Sequence, residues 1–130
     1  MKKSALIAAA AILMLVACTK EDSTKWIDGT RWEYRHTESS GRTISCNLTL
    51  RKGGELVIID KYSSWQTEWY DRYQYSIKSY TYDGDKSGTI QLQGANAYSN
   101  DGTAAFTLNY DQKKMSLSTP NGSYSLERTK

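Results

Sequence analysis

The chain has 130 residues, with 17 Lys and Arg against 14 Asp and Glu, a formal net charge of +3 and 38% hydrophobic residues. This length provides one domain and excludes a multidomain assembly, and so small a charge excludes the strongly basic surface that nucleic-acid binding requires. Two cysteines and one histidine, beside ten tyrosines and four tryptophans, exclude a disulfide-dense scaffold and a His/Cys zinc site, and they favour strands.

In chain order, Lys2 and Lys3 precede an unbroken apolar run from Ala5 to Ala17. Charge followed by a short apolar run with small residues at its end predicts a secretory signal over residues 1–17. The run is short of the roughly 20 apolar residues a spanning helix needs. Leu15-Val16-Ala17-Cys18 resembles the lipobox of bacterial lipoproteins. That resemblance implies cleavage before Cys18, acylation of its sulfur and amine, and a membrane partner reached through lipid. Each buried CH₂ contributes about 0.8 kcal/mol, so two or three acyl chains hold where one leaks. Thr19-Lys20-Glu21-Asp22 resembles the signal that sends some lipoproteins to the outer face of the outer membrane, which implies a cell-envelope location. Residues 18–25 are then the acylated cysteine and tether, and 26–130 the domain. Loss of Lys2 and Lys3 takes the formal charge from +3 to +1.

Beyond Cys18 short period-two runs recur between turn residues, which predicts an all-β domain. The first strand is expected over Trp26–Thr37, with Trp32, Tyr34 and His36 on one face, and the second over Thr43–Arg51. There Ile44, Cys46, Leu48 and Leu50 alternate with Ser45, Asn47, Thr49 and Arg51, so Cys46 reads as an inward core residue. Lys52-Gly53-Gly54 supplies a tight hairpin turn. The third strand, Glu55–Lys61, is apolar on both faces through Leu56-Val57-Ile58-Ile59 and is expected to be covered on both. In Trp65–Tyr82 the shared parity of Tyr73, Tyr75 and Ile77 passes to Tyr80 and Tyr82, predicting a bulge or break near Lys78-Ser79. Thr89–Gln93, Ala104–Tyr110, Met115–Thr119 and Tyr124–Arg128 complete about eight strands. Their close spacing predicts an up-and-down barrel, which leaves no exposed sheet edge.

Gly29-Thr30-Arg31-Trp32-Glu33-Tyr34 resembles the Gly-Thr-x-Trp opening of bacterial lipocalin-like lipoproteins. The Tyr80-Thr81-Tyr82-Asp83-Gly84 core, the Phe106–Tyr110 strand and the closing Gly122–Arg128 segment fit the same outline. The resemblance spans most of residues 26–130. It implies a calycin-type barrel in which Trp32 plugs one end with Arg128 packed over it.

Trp65, Trp69, Tyr70 and Tyr73 belong to the densest aromatic cluster, interleaved with Gln66, Glu68, Asp71 and Gln74. Trp- and Tyr-rich surfaces of this kind stack on sugars or anchor protein partners, whereas strand alternation alone turns every second ring inward. The four residues form the candidate binding surface. Asp83–Ile90 resembles the opening of a calcium loop, but Gly94 stands where a bidentate Glu is needed, so a polar turn is expected. His36 beside Ser39 and Ser40 makes no triad, and no carboxylate pair or nucleophile elbow is present. The sequence therefore predicts a non-enzymatic binding module without metal or cofactor, taking a small molecule, a glycan or a protein. The alternative is a staphostatin-like inhibitor of papain-like cysteine proteases, with Gln93-Gly94-Ala95 or Asp101-Gly102-Thr103 as its inhibitory segment.

Overall fold

The computed structural model describes residues 25–63 and 68–130. Eight antiparallel strands close in sequence order into one barrel. They are β1 (Thr30–Thr37), β2 (Thr43–Leu50), β3 (Glu55–Ser63), β4 (Glu68–Tyr82), β5 (Ser87–Gly94), β6 (Gly102–Leu108), β7 (Lys114–Thr119) and β8 (Gly122–Arg128). The all-β barrel expected from alternation is thus present. No helix among the described residues is long and apolar enough to cross a membrane.

Several boundaries differ from the sequence expectation. Residues Trp26–Gly29 form a turn ahead of β1 instead of its first half. The Thr30 hydroxyl donates to the Ile27 carbonyl at 2.6 Å and accepts the Trp32 indole N–H at 2.8 Å. This chain of bonds satisfies the one polar atom of a buried tryptophan and fixes the turn against the core. Tyr110 lies in the β6–β7 turn and is fully exposed, because β6 ends at Leu108. The expected irregularity in β4 falls where the parity changes, between Ile77 and Ser79.

Registers build horizontal rows on the inner face. One runs Trp32–Leu48–Leu56–Tyr75, the next Tyr34–Cys46–Ile58–Tyr73, and the next His36–Ile44–Asp60–Asp71. Inward side chains from all eight strands fill the interior, among them Trp32, Leu48, Tyr75, Leu92, Phe106 and Leu126, each no more than 2% exposed. Burying one such aliphatic or aromatic chain contributes roughly 1.5–3 kcal/mol. On the outer face of β3, Val57 is buried and Ile59 half-buried, so its second face is covered only in part.

The two ends differ. At the lower end, where the β2–β3, β4–β5 and β6–β7 turns gather, the Trp26 ring meets Tyr82 edge-on with centroids 6.1 Å apart. The Arg128 guanidinium lies 5.2 Å from the Trp26 centroid. The cation expected over Trp32 thus covers Trp26, and Trp32 sits deeper. At the upper end the β3–β4 hairpin outgrows its neighbours. Pairing of β2 to β3 stops at Thr43–Lys61 and pairing of β4 to β5 at Tyr75–Gly94, while β3 and β4 stay paired to Ser63–Glu68. Closure between β1 and β8 is brief: Trp32–Arg128 and Glu33–Glu127 are its registered pairs, extended by the Thr129 N–H to Arg31 carbonyl bond at 2.8 Å.

Candidate functional site: the upper end and its hairpin arm

Strand alternation decides where each candidate residue points. On the inner face of the β3–β4 hairpin the cross-strand rungs are Leu56–Tyr75, Ile58–Tyr73, Asp60–Asp71 and Tyr62–Trp69. The last rung stands above the barrel. Its rings stack at 5.7 Å with planes 16° apart and remain exposed, Trp69 by 48%. Tyr70 projects from the opposite face at 61% exposure, beside the Lys61–Glu68 ion pair of 3.3 Å. Tyr73 lies lower and is half-buried against the core. The structure therefore brings Trp69 and Tyr73 onto one face and sets Tyr70 on the other; Trp65 lies outside the described residues.

Tyr62, Tyr34, Tyr124, Asp60 and Arg42 join the site, although no local sequence signal groups them. Tyr34 and Tyr124 come from β1 and β8, and their rings lie 5.9 Å apart across the briefly zipped seam. Tyr62 was legible in principle, since it pairs with Trp69 once the hairpin register is known. Arg42, in the β1–β2 turn, forks onto Asp60 with bonds of 2.9 Å and 2.7 Å. The guanidinium holds the Asp60 carboxyl below its ordinary range, and the carboxylate in turn raises Arg42. Burial pushes the Tyr124 hydroxyl above its usual range, with smaller contributions from Cys46, Asp60, Tyr73 and Tyr34 around it.

Hydrogen bonding separates two groups of tyrosines. Tyr75 donates to Asn121 Oδ1 at 2.5 Å, Tyr80 to Asp28 Oδ1 at 2.7 Å and Tyr82 to the Asp85 carbonyl at 2.8 Å. Each of these half-buried or buried hydroxyls is satisfied within the fold. Among the described residues, the half-buried Tyr34, Tyr73 and Tyr124 hydroxyls at the upper end have no such partner.

The remaining candidates resolve into structure. Asp83 Oδ1 accepts the N–H groups of Asp85, Lys86 and Ser87 at 2.8, 2.9 and 3.1 Å. Those bonds lower its pKa, that from Asp85 most, and make residues 83–87 a self-capped hairpin turn. His36, Ser39 and Ser40 are exposed, and Ser40 donates to Glu38 at 3.5 Å. Gly94 and Gly102 bracket a loop bonded to itself and to β4. Asp101 Oδ1 accepts the Gly94 N–H at 2.9 Å, and Ser99 Oγ donates to Asn96 at 2.6 Å while accepting the Gln74 N–H at 2.8 Å. Such a loop is compact instead of extended. Among the described residues, one surface groove of about 310 Å³ runs over β6, β7 and β8 between Ala105, Thr107, Ser116, Leu117, Ser123 and Tyr124. No family model, curated protein or solved structure gives a significant match to the chain.

Proposed function

We propose that the chain is a non-enzymatic lipoprotein of the cell envelope, anchored through acylated Cys18, whose lipocalin-like barrel is a scaffold for recognition at its upper end. One observation carries this reading: apolar side chains fill the barrel interior, while the stacked Tyr62–Trp69 rung stands exposed above it. A filled core moves binding from an internal cup to the rim and arm, and exposed tryptophan and tyrosine are the residue types that dominate recognition surfaces. The ligand is a small molecule, a glycan or a protein. A binding role agrees with an exposed His36 and a buried Cys46, since a nucleophilic thiol needs a stabilised thiolate and burial works against one.

Two measurements test the reading. Cells fed an alkynyl fatty acid should label the full chain, and Cys18→Ser should abolish the label; a label that persists refutes acylation at this residue. The full chain in uncharged detergent, screened against immobilised envelope glycans and peptides, should bind through the arm. Trp69→Ala is expected to weaken binding about tenfold, while Tyr110→Ala at the lower end leaves it unchanged. Binding insensitive to Trp69, or no binding at all, refutes the assignment.

A further inference from the structure

We propose that the inner face of the β3–β4 hairpin takes an organic ammonium group, with its charge beside Asp71 and its carbon shell against the Tyr62–Trp69 stack and Tyr73. The inference rests on the reading of this arm as the recognition surface and gives it a ligand class. Three rungs on one face carry the argument: Ile58–Tyr73, then Asp60–Asp71, then Tyr62–Trp69. An acid pair is thus held between aromatic rings above and below. Carboxylates placed directly opposite each other repel, so such a rung calls for a cation. The fold provides one for half of it. Arg42 forks onto Asp60, and no Lys or Arg among the described residues pairs with Asp71.

The chemistry of the face selects the cation. Hard divalent ions take six or more oxygen ligands, and no group of three or more His, Cys, Asp and Glu side chains is assembled among the described residues. Among the described residues, the site offers one carboxylate without an ion-pair partner, together with ring faces. Ring faces attract weakly hydrated cations such as alkylammonium, whose methyl or methylene shell also packs on the aromatic surface. The hydroxyls of Tyr34 and Tyr124, without a hydrogen-bond partner among the described residues, lie at the same end and can add acceptors. On the inner-face rungs themselves, two carboxylates, Asp60 and Asp71, face one guanidinium, that of Arg42, which is bonded to Asp60.

Two sources present this chemistry, a free alkylammonium and a lysine side chain of a partner, and the test separates them. The full chain in uncharged maltoside detergent is titrated with choline, with its uncharged isostere 3,3-dimethylbutan-1-ol, and with a lysine-rich peptide, following tryptophan fluorescence. Saturable binding of an ammonium probe at least about tenfold tighter than the alcohol is expected, the scale of a partly desolvated cation on an aromatic face. Choline ahead of the peptide marks a free ligand, and the reverse marks a partner lysine. Asp71→Asn should erase the preference while leaving the thermal midpoint unchanged, since among the described residues no ion pair of the fold uses this carboxylate. A structural role would lower both. Glu68→Gln, on the outer face, should change nothing. Equal binding of choline and the alcohol, no saturable response to any ammonium, or an unaltered preference in Asp71→Asn overturns the inference. If both probes bind equally and Trp69→Ala abolishes both, the ammonium assignment falls while the arm stands as the recognition surface.

Discussion

Cys46 shows how far one residue can be read and what its burial does. Alternation along β2 placed it inward, and the structure buries it in the row between Tyr34 and Ile58. Burial pushes its thiol up to about 12, because a thiolate has no cationic partner there. In the unfolded chain the thiol ionises near pH 8.5–9. Above that range the unfolded state sheds a proton that the folded state keeps, so folding stability contributed by this group is complete below about pH 9 and is lost as pH rises towards 12. Urea midpoints measured between pH 8 and 11 should therefore fall with pH, and less steeply in Cys46→Ala. The native thiol should also resist an aromatic disulfide reagent that consumes it at once in denaturant. A midpoint independent of Cys46 across this range contradicts the burial argument. What the residue pattern did not reveal is the seam partner: Tyr34 meets Tyr124 only through barrel closure, and a contact 90 positions distant leaves no local periodicity.

At the scale of elements, turn chemistry and parity located the eight strands and the β4 bulge, but ends shifted wherever a tertiary contact overrode the local pattern. Trp26 carries the alternation of a strand, yet the Ile27–Thr30–Trp32 bonds wind residues 26–29 into a turn. The β4–β5 hairpin shows a second contact that the sequence hid. Gly88 faces Phe106 across β5 and β6, and the Phe106 ring, stacked on Tyr82 at 6.1 Å, occupies the space a side chain would need. A methyl group there would fall on the Phe106 ring edge and the Thr81 carbonyl. Gly88→Ala should therefore cost about 1–3 kcal/mol by overpacking, visible as a drop of several degrees in the melting midpoint, at roughly 4–8 °C per kcal/mol. Adding Phe106→Leu should cost less in the Gly88→Ala background than in the native one, because the smaller chain relieves the ring part of the clash and leaves the part on the Thr81 carbonyl. Additive losses in the double variant contradict a shared cause. The aromatic arm, by contrast, was half legible: the cluster of Trp69, Tyr70 and Tyr73 was visible, while the hairpin register that puts Trp69 on Tyr62 and Asp71 opposite Asp60 required the fold.

For the whole molecule, closure is the step that no single hairpin supplies. Seven of the eight seams join strands adjacent in sequence and zip over four to nine registered pairs; the eighth joins the first strand to the last and has two. Ladder bonds alternate sides along a strand. The Thr129 N–H to Arg31 carbonyl bond turns the odd-numbered groups of β1 towards β8, and the Arg128 N–H to Lys113 carbonyl bond turns the even-numbered groups of β8 towards β7. Arg35 N–H on one side and Ser123 and Ser125 N–H on the other thus face a stretch where the registered ladder has ended. Among the described residues, the Tyr34–Tyr124 ring contact bridges it from within. Local opening follows the weakest boundary of a fold, so these amides should exchange with solvent by small fluctuations while core amides wait for global unfolding. Exchange measured by NMR on the full chain in detergent should show Arg35, Ser123 and Ser125 with little protection and Ile58 and Tyr75 among the slowest. Replacing Tyr124 by alanine should then speed exchange along β1 and β8 before it affects β3 and β4. Uniform protection around the barrel would mean that the β1–β8 seam is as tightly closed as the rest, and that the upper end is a rigid rim rather than one that opens at a single line.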